Sequence, residues 1–408
     1  MKILEVNKFN YVRGGADRHF LDVTRLLKSS GHEVATFSMD SPAGESRNLF
    51  SPWQKYFVSY VGYNKNDSTL TQKIKGTFRM FYSFEARGKM KRLLADFEPD
   101  VVHIHNIYHQ ISPSILTIIK QKKIPIVMTV HDYKLVCPDY LLRDWKPLGK
   151  YRYLKFIFGK KFKNSYFKSL LVALEFLWHK YWKSYAKNID LYICPSLFLK
   201  NKLVAHGISE KKIIVLPHFF LPAEKNSEVK NTATEKYALY FGKIAEDKNI
   251  SELLEIFEKN RNIKLYLAGE LEAGFEIKKH AQLKYLGALG KIELKKYIQN
   301  AQFVVSSSKL PETFGLIALE ALSLGKPFVG YDTGAFSEIV ENNKTGFLCQ
   351  NATEFGEKIE QLTQDEKLRK MLSQNAYVRA ADFAAKKYLK EITLVFGELT
   401  DKPKNGSI

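Results

Sequence analysis

The chain has 408 residues, 45% hydrophobic and 26% charged, a balance that gives room for two or three globular domains and excludes a disordered or collagen-like chain. Lys and Arg number 63 against 43 Asp and Glu, and the resulting +20 admits nucleic acid, a membrane surface or an anionic small molecule as partner. Three scattered cysteines, Cys137, Cys194 and Cys349, build neither a disulfide framework nor a CxxC knuckle, so a reducing cytoplasm is expected.

The first residues, Met1-Lys2-Ile3-Leu4-Glu5-Val6-Asn7, read as a strand and not as a signal peptide. Short apolar runs at 3–6, 33–37, 101–105, 126–130 and 191–194 predict buried strands, with amphipathic helices such as 16–29 and 112–120 between them. The run 170–178 is the best candidate for a membrane span and is interrupted by Glu175. A Pro-bounded linker, Pro217 to Pro222, and a polar stretch at 223–236 follow. The alternation then restarts with strands at 238–242, 264–268, 303–306 and 327–330, and a helical tail from about 376 to 399 ends in a frayed 402–408. This β-α alternation predicts an α/β protein of two Rossmann-like, doubly wound domains. The expected division is 1–216, 217–376 and a tail helix at 377–408. Ligands of such folds sit beyond the carboxyl ends of the strands, here expected along a cleft between the domains.

Half of the net charge falls in residues 143–187, where twelve Lys/Arg meet two acids and thirteen aromatics. Interleaved cations and rings suit an anionic membrane face or single-stranded nucleic acid, and equally a Lys-rich surface helix whose rings face the core.

Four groups of residues carry candidate chemistry. Gly14-Gly15, beside Arg13, lies between the first strand and the first helix, where backbone and helix N-terminus can approach a phosphate or carboxylate. His131-Asp132 follows the strand at 126–130, and His105-Asn106 closes that at 101–105; His131 is placed to bond a hydroxyl, accept a proton, or simply hold its loop. Lys243, after Gly242, and Lys248 supply two cations of the kind that neutralise a diphosphate. The most specific stretch is Pro311-Glu312-Thr313-Phe314-Gly315-Leu316-Ile317-Ala318-Leu319-Glu320, in which Pro311 and Glu312 read as a helix start. Eight residues on a helix rise about 12 Å, too far for the paired carboxylates of a glycosidase and suited to two ends of one extended polar ligand. No D-x-D triplet, GxxxxGK[ST] loop, GxSxG elbow or HExxH helix occurs.

Together these residues resemble the GT-B-fold retaining glycosyltransferases of family 4, of the bacterial surface-polysaccharide type. The resemblance runs from Gly14-Gly15 through Val101-Val102-His103-Ile104-His105, His131-Asp132-Tyr133, Gly242-Lys243 and Glu312–Glu320 to Thr345-Gly346-Phe347. It implies that Glu312 contacts donor-sugar hydroxyls and that Glu320 holds the nucleotide ribose. The amides around Phe314, Gly315 and Leu316, with Lys243 and Lys248, would cradle the diphosphate, and Gly15, with Gly14, would let the loop approach it. His131 matches the position near the reacting carbon, and the tail helix would cross back to the first domain. The implied reaction moves a hexosyl-type group from a nucleotide sugar to a glycan or lipid-linked acceptor with retention, with no metal and no other cofactor. The implied setting is the cytoplasmic face of the plasma membrane, reached through residues 143–187, with no nucleic acid as partner. Competing readings are a nucleotide-sugar epimerase of the same fold, which needs more acid/base residues, and a non-catalytic binding protein, which leaves Glu312, Glu320 and Lys243 unused. An NAD-dependent enzyme is disfavoured, since GxGxxG does not follow the first strand.

Overall fold

The structure, a computed structural model, describes residues 1–42, 49–62, 70–142, 151–221, 235–278 and 280–401. The chain forms two compact units: Met1–Pro195 with Lys200–Leu216 and Leu389–Ile408, and Ser196–Leu199 with Pro217–Tyr388.

In the first unit, β1 (Lys2–Phe9), β2 (Glu33–Met39), β3 (Val101–Ile104), β4 (Ile126–Thr129), β5 (Leu191–Cys194) and β6 (Ile213–Val215) make one sheet in the order β2-β1-β3-β4-β5-β6. Every neighbouring pair is parallel, so both faces are buried and the strands read as apolar runs rather than alternating ones. Ile3, Leu4 and Val6 are fully buried, and so is the one charge among them, Glu5. Phe396, from the helix Ala385–Thr400, packs its ring 5.5 Å from that of His103 in this unit.

In the second unit, β7 (Tyr237–Phe241), β8 (Lys264–Ala268), β9 (Leu283–Gly287), β10 (Phe303–Ser306), β11 (Phe328–Tyr331) and β12 (Gly346–Cys349) form a parallel sheet in the order β12-β11-β10-β7-β8-β9. The period of two sorts β7 between two cores: Tyr237, Leu239 and Phe241 pack on one face, Ala238 and Tyr240 on the other. Each buried aromatic or aliphatic side chain of these cores contributes about 1.5–3 kcal/mol. Two doubly wound parallel sheets with flanking helices are the GT-B architecture expected above.

Strand order reverses between β1 and β3 in one unit and between β7 and β10 in the other. At such switch points the connections leave to opposite faces and open a crevice past the strand ends.

Two expectations are corrected. The tail is not one helix from about 376: Glu366–Ala380 ends, a 3₁₀ turn spans Ala381–Phe383, and Ala385–Thr400 begins a new helix. Phe220 breaks the run, because its N–H donates to the Phe383 carbonyl at 3.2 Å and its strand-like bridge to Ala384 takes backbone that a helix would use. Nor does a helix start at Pro311 and Glu312; the helix is Leu316–Ser323, capped by Gly315 at φ +102°. Upstream, the Glu312 carbonyl accepts from the Ala335 N–H at 3.0 Å and that of Thr313 from the Ser196 hydroxyl at 2.6 Å, which holds 312–314 as a loop. Glu312 and Glu320 therefore do not share a helix, and only about 6 Å of rise separates Leu316 from Glu320.

Candidate functional site

In the second unit the switch point gathers most of the expected residues. Lys248 ends the 3₁₀ turn Glu246–Lys248 after β7, and Glu312 lies in the loop after β10. Their side chains meet, Lys248 Nζ donating to Glu312 Oε1 at 2.6 Å. Burial disfavours the Lys248 ammonium, but the facing Glu312 carboxylate outweighs it and raises the group's pKa. The Ser307 hydroxyl, 2.9 Å from the Lys248 carbonyl, fixes the turn against β10.

Beside this pair, Gly315 turns the chain into the helix Leu316–Ser323. Its left-handed φ favours glycine, and a Cβ there would stand 2.7 Å from the Phe336 ring. Phe314 is buried against the His218 ring at 4.9 Å, which anchors the loop. The first amides of a helix lack intrahelical acceptors and carry its positive dipole end, so the stretch Gly315–Leu316 has the chemistry that suits an anion. Glu320 is half-buried one turn further along.

Lys243 is placed differently. It pairs with Glu272, both side chains being more than two-fifths exposed, and not with Glu312. The turn it occupies is tight: a Cβ on Gly269 would fall 1.7 Å from the Gly242 carbonyl oxygen, so β7 and β8 end on backbones in contact.

In the first unit, Gly14 caps the helix Gly15–Ser29 in extended conformation, and a Cβ there would meet nothing within 4 Å. The fold itself does not demand glycine; the space above it is open. Asp17, buried in the first turn, accepts from the Asn7 amide at 2.9 Å and the Arg13 N–H at 3.2 Å.

His131 is the visible end of a chain of buried hydrogen bonds. Glu5 of β1 is the register partner of His103 in β3, and the period of two puts His105 on the same face. Glu5 Oε1 lies 2.9 Å from His103 Nδ1 and Oε2 lies 3.0 Å from His105 Nε2; His105 Nδ1 lies 2.8 Å from His131 Nε2. Burial by itself raises the Glu5 carboxyl, but His103 and His105 reverse this and hold it at about 2. Burial, then the neighbouring His103, pushes the His105 ring down to about 4, so it is neutral near pH 7. The carboxylate can only accept, so His105 carries its proton on Nε2 and accepts on Nδ1. His131 then donates through Nε2 and keeps Nδ1 as its basic nitrogen when neutral.

Glu5, His103 and His105 also place one ligating atom each within 4.8 Å of one another. Each of those ring nitrogens already has a protein partner, His103 Nε2 being 2.8 Å from the Thr129 hydroxyl. The set is a hydrogen-bond network first.

Glu5 and its bonds were not anticipated from sequence, although a lone acid in an apolar strand and two histidines at i and i+2 were a readable signal. A second buried carboxylate, Glu175, was noticed only as a break in an apolar run. It accepts from Lys134 Nζ at 2.5 Å, and the charge of that lysine, with those of His109 and His179, overcomes burial to hold it at about 2.

Of the basic aromatic segment, residues 143–150 lie outside the described residues. Phe156 and Phe176 do face the core. Tyr166, Phe167, Trp178, Tyr181 and Trp182, on and just after the helix Tyr166–Tyr181, are 45–79% exposed, so a purely core-facing account of these rings is wrong. No helix among the described residues is long and apolar enough to cross a membrane.

Comparison with known proteins identifies the family and the fold. The model of glycosyltransferase family 4 matches residues 13–220, and that of glycosyl transferases group 1 matches 223–379. A Klebsiella pneumoniae protein described as an uncharacterized 42.6 kDa protein in the cps region is 24% identical over 83% of this chain and 87% of its own length. The alpha-monoglucosyldiacylglycerol synthase of Acholeplasma laidlawii is 24% identical over 77% of this chain and 78% of its own. The Anabaena protein HepE, solved in complex with UDP-glucose, superposes with a TM-score of 0.66 at 16% identity, covering 98% of this chain and 100% of its own. The family model spans half of the sequence and the two sheets have the matching architecture: the chain belongs to glycosyltransferase family 4 and is a GT-B glycosyltransferase.

Proposed function

We propose that this glycosyltransferase takes a hexosyl-type group from a nucleotide-sugar donor and passes it, with retention, to a glycan or lipid-linked acceptor in bacterial surface-polysaccharide synthesis. The observation that carries the reading is the Lys248–Glu312 pair, 2.6 Å apart, at the head of the helix capped by Gly315. A cation and free amides there suit a diphosphate, and a carboxylate beside them suits sugar hydroxyls. Glu320 is assigned the ribose. HepE, whose fold this chain shares, was solved with UDP-glucose, and the Klebsiella relative comes from a cps region.

In the proposed step the acceptor oxygen bonds to the anomeric carbon on the face from which the diphosphate leaves. The carbon–phosphate-oxygen bond breaks, and the departing oxygen takes the acceptor's proton. Lys248 and the amides at Gly315–Leu316 stabilise the charge that develops on it, with Lys243 available once released from Glu272. Because charge neutralisation is assigned to these groups, the reading requires no metal. His131, its tautomer set through His105 and Glu5, is assigned to the sugar near the reacting carbon.

A panel of UDP- and GDP-sugars, read by nucleotide release and by the anomeric configuration of the product, tests this. Turnover of at least one donor with retained configuration is expected; release from none, or an inverted product, overturns the reading. We further place the protein at the inner membrane face through the rings on Tyr166–Tyr181 and the lysines before them. Salt-sensitive binding to vesicles of acidic lipid is expected, weakened by neutralising Lys160, Lys161 and Lys163; binding unchanged by those substitutions counts against this anchor.

A further inference from the structure

The first unit contains a cavity of about 380 Å³ that the transfer step does not use. The helix Tyr166–Tyr181, β5 and the turn after the helix Leu197–Ala205 all line it, and its volume falls in the range of small-molecule sites.

Two kinds of group meet on its wall. Arg152, Lys180 and Lys183 bring positive charge to one cavity. Burial, then the like charge of Arg152, lowers the Lys180 ammonium, and burial with Arg152 and Lys180 nearby also lowers His206. An anion would relieve that crowding. The remaining groups are buried and polar with unused valence: Tyr192 is fully buried, and among the described residues neither its hydroxyl nor that of Tyr185 has a hydrogen-bond partner. Burial raises both phenols, which keeps them protonated and able to donate. Among the described residues His206 Nε2 likewise has no hydrogen-bond partner, and Glu175 Oε1 has none beyond the His179 Nε2 that faces it at 3.8 Å. His206 Nδ1 lies 2.7 Å from the Lys202 carbonyl, which only accepts, so the proton is on Nδ1 and Nε2 is an acceptor.

Buried polar groups normally find hydrogen bonds, and four without one among the described residues around a single cavity mark a place that something polar fills. A bare anion satisfies only the donors. The two acceptors need hydroxyl hydrogens, and an uncharged sugar does nothing to relieve the like charges crowded at Lys180.

We propose that this cavity binds a phosphorylated sugar or polyol, with the phosphate set against Arg152, Lys180 and Lys183 and the hydroxyls shared among Tyr185, Tyr192, His206 and Glu175. In the transfer reading, on which this clause alone rests, the occupant is the anionic end of the acceptor. The cavity shares its helix with the exposed Trp178 and Tyr181, so the same chemistry can arrive in solution or as a lipid head group.

Calorimetric titration of the full chain with glucose 1-phosphate tests the site, with glucose and inorganic phosphate as comparators. Binding about tenfold tighter than either comparator is expected, and Tyr192→Phe, which removes one unpaired hydroxyl and no charge, should weaken it about fivefold without lowering Tm. Lys180→Ala, at an exposed position, should weaken it about tenfold. A parallel arm uses phosphatidylcholine vesicles with and without phosphatidylinositol. Vesicle binding that falls with Tyr192→Phe assigns the source to the membrane; loss confined to the soluble ligand assigns it to solution; both support the site. Glucose 1-phosphate binding that is absent, matched by inorganic phosphate, or indifferent to both substitutions overturns it. UDP titrated alongside separates the two claims, since a protein that binds UDP and no sugar phosphate loses this cavity and keeps its donor site.

Discussion

The two switch points solve the same problem in opposite ways. In the first unit the polar groups are rooted in strands: Glu5, His103 and His105 are fully buried and hydrogen-bonded in series to His131. In the second they stand on loops, with Lys248 and Glu312 each about a quarter to a third exposed and shaped by a glycine. A strand-borne network is costly to disturb and fixes one tautomer. A loop-borne pair costs little to break and is free to trade its partner for a ligand. Fold stability should therefore depend on the first site, and turnover chiefly on the second.

The largest effect that would test this contrast is Glu5→Ala. It strands two buried histidines and should cost about 3–5 kcal/mol in denaturant unfolding. A loss under 1 kcal/mol would erase the distinction. Next, Lys248→Ala should lower kcat by about 10²–10³ while donor binding stays measurable. Its unfolding free energy should change by no more than about 1 kcal/mol, because the pair is partly solvated. Nearly intact turnover would remove Lys248 from the leaving group.

Acid titration sharpens the same point. The His105 ring is neutral down to about 4 in the fold and titrates at 6.5 when free, so the unfolded chain binds the extra proton between those values. Stability should be complete above pH 6.5 and fall by on the order of 3 kcal/mol as pH drops through 4, a slope that His105→Gln removes. Smaller again is Gly315→Ala, which forces φ +102° on alanine and crowds the Phe336 ring. About 2 kcal/mol should be lost, with a rise in donor KM. Last, Lys243→Ala should leave stability within about 0.5 kcal/mol, since its bond to Glu272 is a surface one.

The sequence was most informative where one local property decides the structure. β5, β8 and β10 fall on the apolar runs at 191–194, 264–268 and 303–306, because a strand buried on both faces needs continuous hydrophobicity. β6 and β9 carry no such mark: one has three residues, and the other, at the sheet edge, is half exposed. The stretch from Glu312 to Glu320 was legible as chemistry but not as geometry. Its helix starts late because of a left-handed glycine and contacts from Ala335 and Ser196, which lie far away in the chain. The relay was illegible for a related reason. Glu5 and His105 are 100 residues apart, and only the pairing of β1 with β3 makes them neighbours.

The ring of Phe396, fully buried 5.5 Å from that of His103, has a consequence for the order in which the protein is made. His103 emerges from the ribosome early and Phe396 close to the end of the described chain. At typical elongation rates of 5–20 residues per second, the side of the sheet carrying Glu5, His103 and His105 waits roughly 15–60 s for this part of its apolar cover. During that interval Pro217–Tyr388 of the second unit is synthesised in full. The domain begun first is the one completed last.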